Sequence, residues 1–205
     1  MKPFYAVLDF EANCSSEGSD DYEIIEFPVI LVDSKTGQIV AEFREFIQLV
    51  NHQQLSDFIK DFTHITDSQV KSGLTWSDCL VALDKWCQEQ EVNSENTTVI
   101  TCGDWDLRTM LPKQLELTKT TLPYRLEKLL TQWVNIKKPF KKTTKNKEKM
   151  GMAGMLSYLD LELTGHHHSG IDDCRNIAKI CHRLVEMGAD VTRPNCRKMS
   201  KFVEI

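Results

Sequence analysis

Phe4-Tyr5-Ala6-Val7-Leu8-Asp9-Phe10-Glu11-Ala12 opens the chain with an apolar run that ends in two carboxylates one residue apart. In a β-strand, side chains at i and i+2 leave the same face. Asp9 and Glu11 would therefore project together from a hydrophobic strand. Two acids on one buried face repel each other and are costly to desolvate unless a positive group stands between them. A divalent cation answers that need, and Mg²⁺ favours carboxylate oxygens while keeping positions for water and phosphate. Taken alone, the same pattern also describes an Asp-x-Glu at a strand end facing water.

Working outward, Ile24 to Val32 reads as a second strand and Ser34-Lys35-Thr36-Gly37 as a turn. Ile39 to Ile47 follows as a third strand, which makes an antiparallel meander. Leu55 to Phe62 has a short helical pattern, and Thr66 or Asp67 can cap the next turn. Trp76 to Gln90 is a longer helix capped by Thr75 or Ser77. Thr97 to Cys102 is β-branched and reads as a parallel fourth strand, with a helix through Leu107, Met110 and Leu111 after it. Pro123 opens a helix over Tyr124 to Leu130, and Trp133 to Ile136 is a short fifth strand. Ile171 to Met187 is the last long helix, stopped by Gly188. This order predicts an α/β fold with a mixed five-stranded sheet flanked by helices.

The 205 residues, 41% of them hydrophobic, suit one globular domain, with a core over about 4–187 and a C-terminal tail over 188–205. A net charge of −5 argues against a general nucleic-acid coat protein, so any such contact must be local. No apolar run approaches the ~18 residues that span a membrane, and the N-terminus lacks a signal-peptide pattern. Seven cysteines without a Cys-x-x-Cys pair point to a reduced, intracellular setting, cytoplasmic or nuclear. Cys79, Cys87, Cys174 and Cys181 fall in helical patterns and read as small core residues.

Asp106 lies just past the fourth strand, where open α/β sheets place their sites. Either Asp104 or Asp106 can instead cap the helix there; Asp106 is assigned to a metal and Asp104 is left unassigned. His166-His167-His168-Ser169-Gly170-Ile171-Asp172-Asp173 is the third cluster. Asp173 falls among core positions one turn into the last helix, and Asp172 suits its N-terminal end. His168 lies on a Gly-containing loop five residues earlier and can reach the same site. An unperturbed pKa near ~6.5 would let it take a proton from water. A zinc site made of the three histidines is the rival reading, disfavoured because adjacent histidines converge poorly and carboxylates prefer a harder ion. Four acids and a histidine make a two-metal phosphodiester site, with Asp9, Glu11, Asp106 and Asp173 holding two Mg²⁺ and His168 as general base.

In this order the residues resemble the DEDDh 3′–5′ exonucleases, which have an RNase H-like fold. The three motifs are Asp9-Phe10-Glu11, Trp105-Asp106, and His168 followed after four residues by Asp173. The strings LDFEA, EIIEFPVILV, FREFIQ, TCGDWDLRTMLP and HHSGIDDCRNIAKI resemble the ERI (enhanced RNA interference) exoribonucleases, especially the prion-protein-interactor type. The resemblance spans about residues 4 to 187 and implies Mg²⁺ or Mn²⁺ dependence. It also implies release of 5′-nucleoside monophosphates from RNA 3′ ends, single-stranded or overhanging, with DNA as the alternative polymer. Two positions depart from the family. Asn13 stands where it usually has Thr, and His64, beside Ile65, replaces a Gly in a loop near the nucleotide pocket. No SAP-type RNA-binding segment is read ahead of the domain, so any extra RNA-docking module would have to be a partner.

On the substrate side, Ala12 and Asn13 follow the acids and are placed to touch the 3′-terminal sugar, where a 2′-OH contact tells RNA from DNA. Trp105 reads either as a stacking platform for a terminal base or as a core aromatic. Seven lysines between Lys137 and Lys149, Lys141 and Lys142 among them, read either as a solvated linker or as a phosphate-gripping lip. Gly151 and Gly154 beyond them suggest a close backbone approach to the sheet.

Overall fold

The computed structural model describes residues 2–16 and 19–196, so the tail beyond Cys196 lies outside the described residues. The first strand breaks where its acids begin. β1 (Phe4–Leu8) and β2 (Glu11–Asn13) run end to end against the long β3 (Glu23–Asp33), and the same register carries from Leu8 opposite Val29 to Glu11 opposite Glu26. Between them the Phe10 N–H is donated to the Asp106 carboxylate, 2.9 Å away. β4 (Ile39–Phe46) lines the other edge of β3, antiparallel. β5 (Thr97–Thr101) pairs parallel with β1, and β6 (Trp133–Asn135) parallel with β5. Among the described residues, six strands thus fill five positions of a mixed sheet, as expected from the sequence.

Alternation along β1 sorts the two layers. Ala6 and Leu8, continued by Phe10 and Ala12, pack with α3 (Trp76–Glu89), α4 (Leu111–Thr118) and α5 (Tyr124–Leu130). Tyr5 and Val7 face α6 (Lys137–Thr144), α7 (Met152–Tyr158) and α8 (Gly170–Glu186). Asp9 and Glu11 continue this second set, so the acids emerge toward α8. A smaller cluster under α1 (Asp57–Thr63) and α2 (Asp67–Lys71) holds Cys14, Ile25 and Ile65. Thr66 caps α2 in a capping box with Gln69, and Thr75 caps α3.

Three local features differ from the sequence reading. The lysine run is not a linker at its start: α6 forms because Pro139 is tolerated in a first turn and Phe140 buries against Tyr158. The helix after β5 starts as a π-helical turn over Asp106–Met110 before α4. Gly151 and Gly154 make no close approach to the sheet. A Cβ on Gly151 would meet nothing within 4 Å, and one on Gly154 would meet only the Met150 side chain, at 3.4 Å.

The outer edge of β6 is closed by the segment after α8. The Asn195 side chain accepts from the Asn135 N–H at 3.0 Å and donates to the Asn135 carbonyl at 3.2 Å. The Asn195 N–H bonds the Trp133 carbonyl, and Cys196 Sγ accepts from the Trp133 N–H.

Candidate active site

The parallel strands β1, β5 and β6 all end on one side of the sheet, and the acids gather there. Asp9, Glu11 and Asp173 each bring a carboxylate oxygen within 4.8 Å of the others. Asp106 is not one of that group but lies beside it, accepting from the Phe10 N–H and acting on the charge of Asp9, and Glu11, Asp106 and Asp173 are buried. Burial, followed by the charges of Asp106 and Asp173, pushes Asp9 well above the usual carboxylate range. Glu11 is raised likewise, by burial and then by Asp9 and Glu26. Burial lifts Asp106 to about 6 against bonds from the Phe10 and Asp106 backbone, and it also raises Asp173. The Lys137 ammonium opposes the shift at Asp9 and Asp106.

A cluster of hard oxygen donors that repel one another when charged fits a divalent cation of the Mg²⁺ type. The linkage has a definite sign. These groups have folded pKa values above their unfolded ones, so the folded state binds more protons through the interval between. The stability they contribute is present below the unfolded values and is lost as pH rises through the folded ones. For Asp106 that window runs from 3.8 to about 6. Metal-free protein should therefore lose thermal stability across this window, and the rise in Tm caused by Mg²⁺ should be larger at pH 8 than at pH 5. Melting curves in EDTA and in Mg²⁺ at the two pH values test this; an equal Mg²⁺ shift at both would contradict it.

The histidines are arranged differently from the expectation. His167, not His168, turns its ring to Asp173, with Nδ1 3.2 Å from both oxygens. His168 reaches Asp173 only through its backbone N–H, at 3.1 Å. With φ of 71°, it stacks its ring between Phe62 and His167, each centroid 3.7 Å away. Burial, then the neighbouring His167 and His166, lowers its pKa to about 4 rather than leaving it near 6.5. His168 is therefore held in the neutral form at pH 7, with a weaker proton affinity than a free imidazole has. The stacking also argues against zinc. His167, His168 and Asp173 lie within 4.8 Å of one another, but nearly parallel imidazoles direct their in-plane lone pairs past a common point. His166 packs edge-on against His64 instead, at 4.0 Å.

The substrate-side residues divide. Trp105 is not a core aromatic: it is 40% exposed beside Asp106 and packs edge-on against Tyr22. His64 is exposed at the left-handed C-cap of α1. Ala12 is buried on the opposite face from the acids. Its expected contact with the terminal sugar is therefore corrected, and so are two further assignments. Asn13 is fully buried with its Oδ1 taken by the Ser56 N–H at 2.9 Å, so its side chain is not offered to a terminal sugar. Ile65 is a core side chain, packed with Leu55, Ile59 and Val70. Lys141 and Lys142 are exposed on the last turn of α6. Asp104 is structural, accepting from the Trp133 indole at 3.1 Å and pairing with Arg108.

Phe62 and Glu26 carry no functional signal in the sequence, while Lys137 shows there only as one of the lysine run and His167 only as one of three candidate zinc histidines. Lys137 had a usable signal, since it follows directly on a parallel strand of a sheet whose sites lie at such ends.

Residues 6–181 match the RNase_T exonuclease family. The chain belongs to that exonuclease family. Its curated relatives include human ERI1 exoribonuclease 3, 35% identical over 187 residues, which cover 90% of this chain and 54% of that protein. Human 3′-5′ exoribonuclease 1 is 31% identical over 194 residues, covering 92% and 54%. The chain thus spans about half the length of these curated relatives. The nuclease domain of 3′hExo, a DEDDh family member solved bound to rAMP, superposes with a TM-score of 0.88 at 30% identity, covering 97% of this chain and 98% of that one. The 3′-exonuclease solved in 3′-end-specific recognition of the histone mRNA stem-loop gives 0.88 at 29%, covering 98% and 89%. The chain is therefore of the DEDDh type and has the RNase H-like fold expected from its motifs.

Proposed function

We propose that this chain is a metal-dependent 3′–5′ exoribonuclease that releases 5′-nucleoside monophosphates from single-stranded or overhanging RNA 3′ ends. The convergence of Asp9, Glu11 and Asp173, with Asp106 tied in through Phe10, carries this reading. These four acids would hold two Mg²⁺ or Mn²⁺, which when bound supply activation of the attacking water and neutralisation of the phosphate charge. Neutral His168 takes the proton of that water, its ring held by the Phe62 stack. Trp105 offers an exposed face to the terminal base. The Lys137 ammonium adds positive charge on the Asp9 and Asp106 side, and Lys141 and Lys142 lie one turn further along α6 for the backbone upstream. His64, edge-on against His166, would stand by the path of the strand. Within the family we place the chain in the prion-protein-interactor-like branch, on the strings that span it, and in an intracellular, cytoplasmic or nuclear, setting.

The test is a 5′-labelled single-stranded RNA and the matched DNA, incubated with Mg²⁺, Mn²⁺ or EDTA. A ladder shortening from the 3′ end on RNA, absent in EDTA, is the expected result. A stronger ladder on DNA would make the protein a deoxyribonuclease. RNA that binds but is never shortened would make it a non-catalytic binding module.

A further inference from the structure

A fifth carboxylate lies beside the four. Glu26 stands on β3 directly opposite Glu11 and is fully buried. A buried charge needs partners on both of its oxygens. Oε1 takes the Arg44 guanidinium through Nε at 2.7 Å. Oε2 accepts the backbone N–H of Gly170 at 3.2 Å, and the Ile171 N–H also acts on this carboxylate.

Those two N–H groups belong to the first turn of α8. Such groups are left over by helix geometry and are usually satisfied by the side chain just before the helix. Here Ser169 makes no such bond. The cap comes from the sheet instead, 144 residues away in sequence. The join is close. A Cβ on Gly170 would come within 2.8 Å of the Asp9 carbonyl, 2.9 Å of Pro28 and 3.2 Å of Glu26 itself. The start of α8 therefore rests on the backbone of Asp9, with Asp173 one turn further in and His168 just before it.

We propose that Glu26 is a positioning residue of the active site, fixing α8 to the strand of Asp9 and Glu11 so that Asp173 meets the strand acids at metal-binding separation, with His168 held just before it and Arg44 as the counter-ion of Glu26. The partial positive charge at the helix N-terminus favours a carboxylate there. It does not balance a full negative charge on its own, and Arg44 supplies the remainder. Arg44 side-chain atoms are 40% exposed and lie over the Phe46 ring, so the pair can be altered from its outer end. The inference rests on the four-acid reading of the site.

Two variants test it, Glu26→Gln and Arg44→Leu, with Arg44→Lys as rescue. Mn²⁺ affinity is measured by calorimetry, amide exchange over residues 170–173 by mass spectrometry, and kcat and KM on labelled RNA. Glu26→Gln should weaken Mn²⁺ binding and lower kcat by about 10-fold or more each, with KM little changed, as for other groups that orient metal ligands. Exchange should quicken at the start of α8 and not along the rest of it. Arg44→Leu should move the same quantities less, and Arg44→Lys should restore most of them. If Glu26→Gln does not fold, Arg44→Leu carries the test from the partly exposed partner. Variants that melt earlier yet keep wild-type Mn²⁺ affinity and kcat would overturn the proposal and leave Glu26 a stabilising ion-pair residue. A wild-type protein that cleaves no RNA, but whose Mn²⁺ affinity falls in the variants, would uphold the positioning role and remove the substrate reading.

Discussion

Asp9→Asn should lower RNA cleavage by on the order of 10³-fold or more while the protein stays folded. The same substitution should leave Tm in EDTA equal to or above that of the wild type. The reason is the imbalance of the metal-free cluster. Asp9 is repelled by Asp106 and Asp173, and burial adds to the cost of its charge. An amide of the same shape removes that repulsion without leaving a cavity. It also removes an oxygen charge from the set that would hold the cations, so the Mg²⁺-induced rise in Tm should shrink along with the activity. Three readouts check this: the RNA ladder, Tm in EDTA, and Tm in Mg²⁺. Activity close to that of the wild type would mean that the metal has been placed on the wrong residues. A Tm in EDTA well below wild type would mean that Asp9 supports the fold.

For His168 the expected loss is in turnover alone. His168→Asn should reduce kcat by roughly 10²–10⁴-fold, the usual range for removing a general base, with Mn²⁺ affinity nearly unchanged. Asn is chosen over Ala because φ of 71° is a left-handed conformation that Asn tolerates better. The only bond from His168 to the acid cluster is its backbone N–H to Asp173, which Asn keeps. Calorimetry with Mn²⁺ beside steady-state kinetics separates the two effects. A variant that loses metal affinity in step with kcat would make His168 a ligand or a support rather than a base.

The parts of this site that lay within one element could be read from the chain. The period of two placed Asp9 and Glu11 on one face, and the helical period put Asp173 among core positions of α8. What depends on distant segments could not be read. The break between β1 and β2 exists because the Phe10 amide finds a partner 96 residues on. The lowered pKa of His168 comes from its burial in a stack built by Phe62 of α1 and by the adjacent histidines. Asn13 looked free beside the acids, but Ser56, at the cap of α1, takes its oxygen. Glu26 carries no signal of its own in the sequence, since neither Arg44 nor Gly170 is close to it along the chain.

The closure of β6 bears on how the molecule behaves among its own copies. An open strand edge is a template on which another chain can add a strand, and a short parallel sheet ending in β6 would present one. Asn195 supplies through its amide the donor and acceptor that a neighbouring strand would offer, and Cys196 meets the remaining outward amide. The outward backbone groups of Trp133 and Asn135 are thus spoken for within the chain. A truncation before Val191 would spare every acid of the site yet leave that edge open, turning a self-limiting sheet into one that can polymerise.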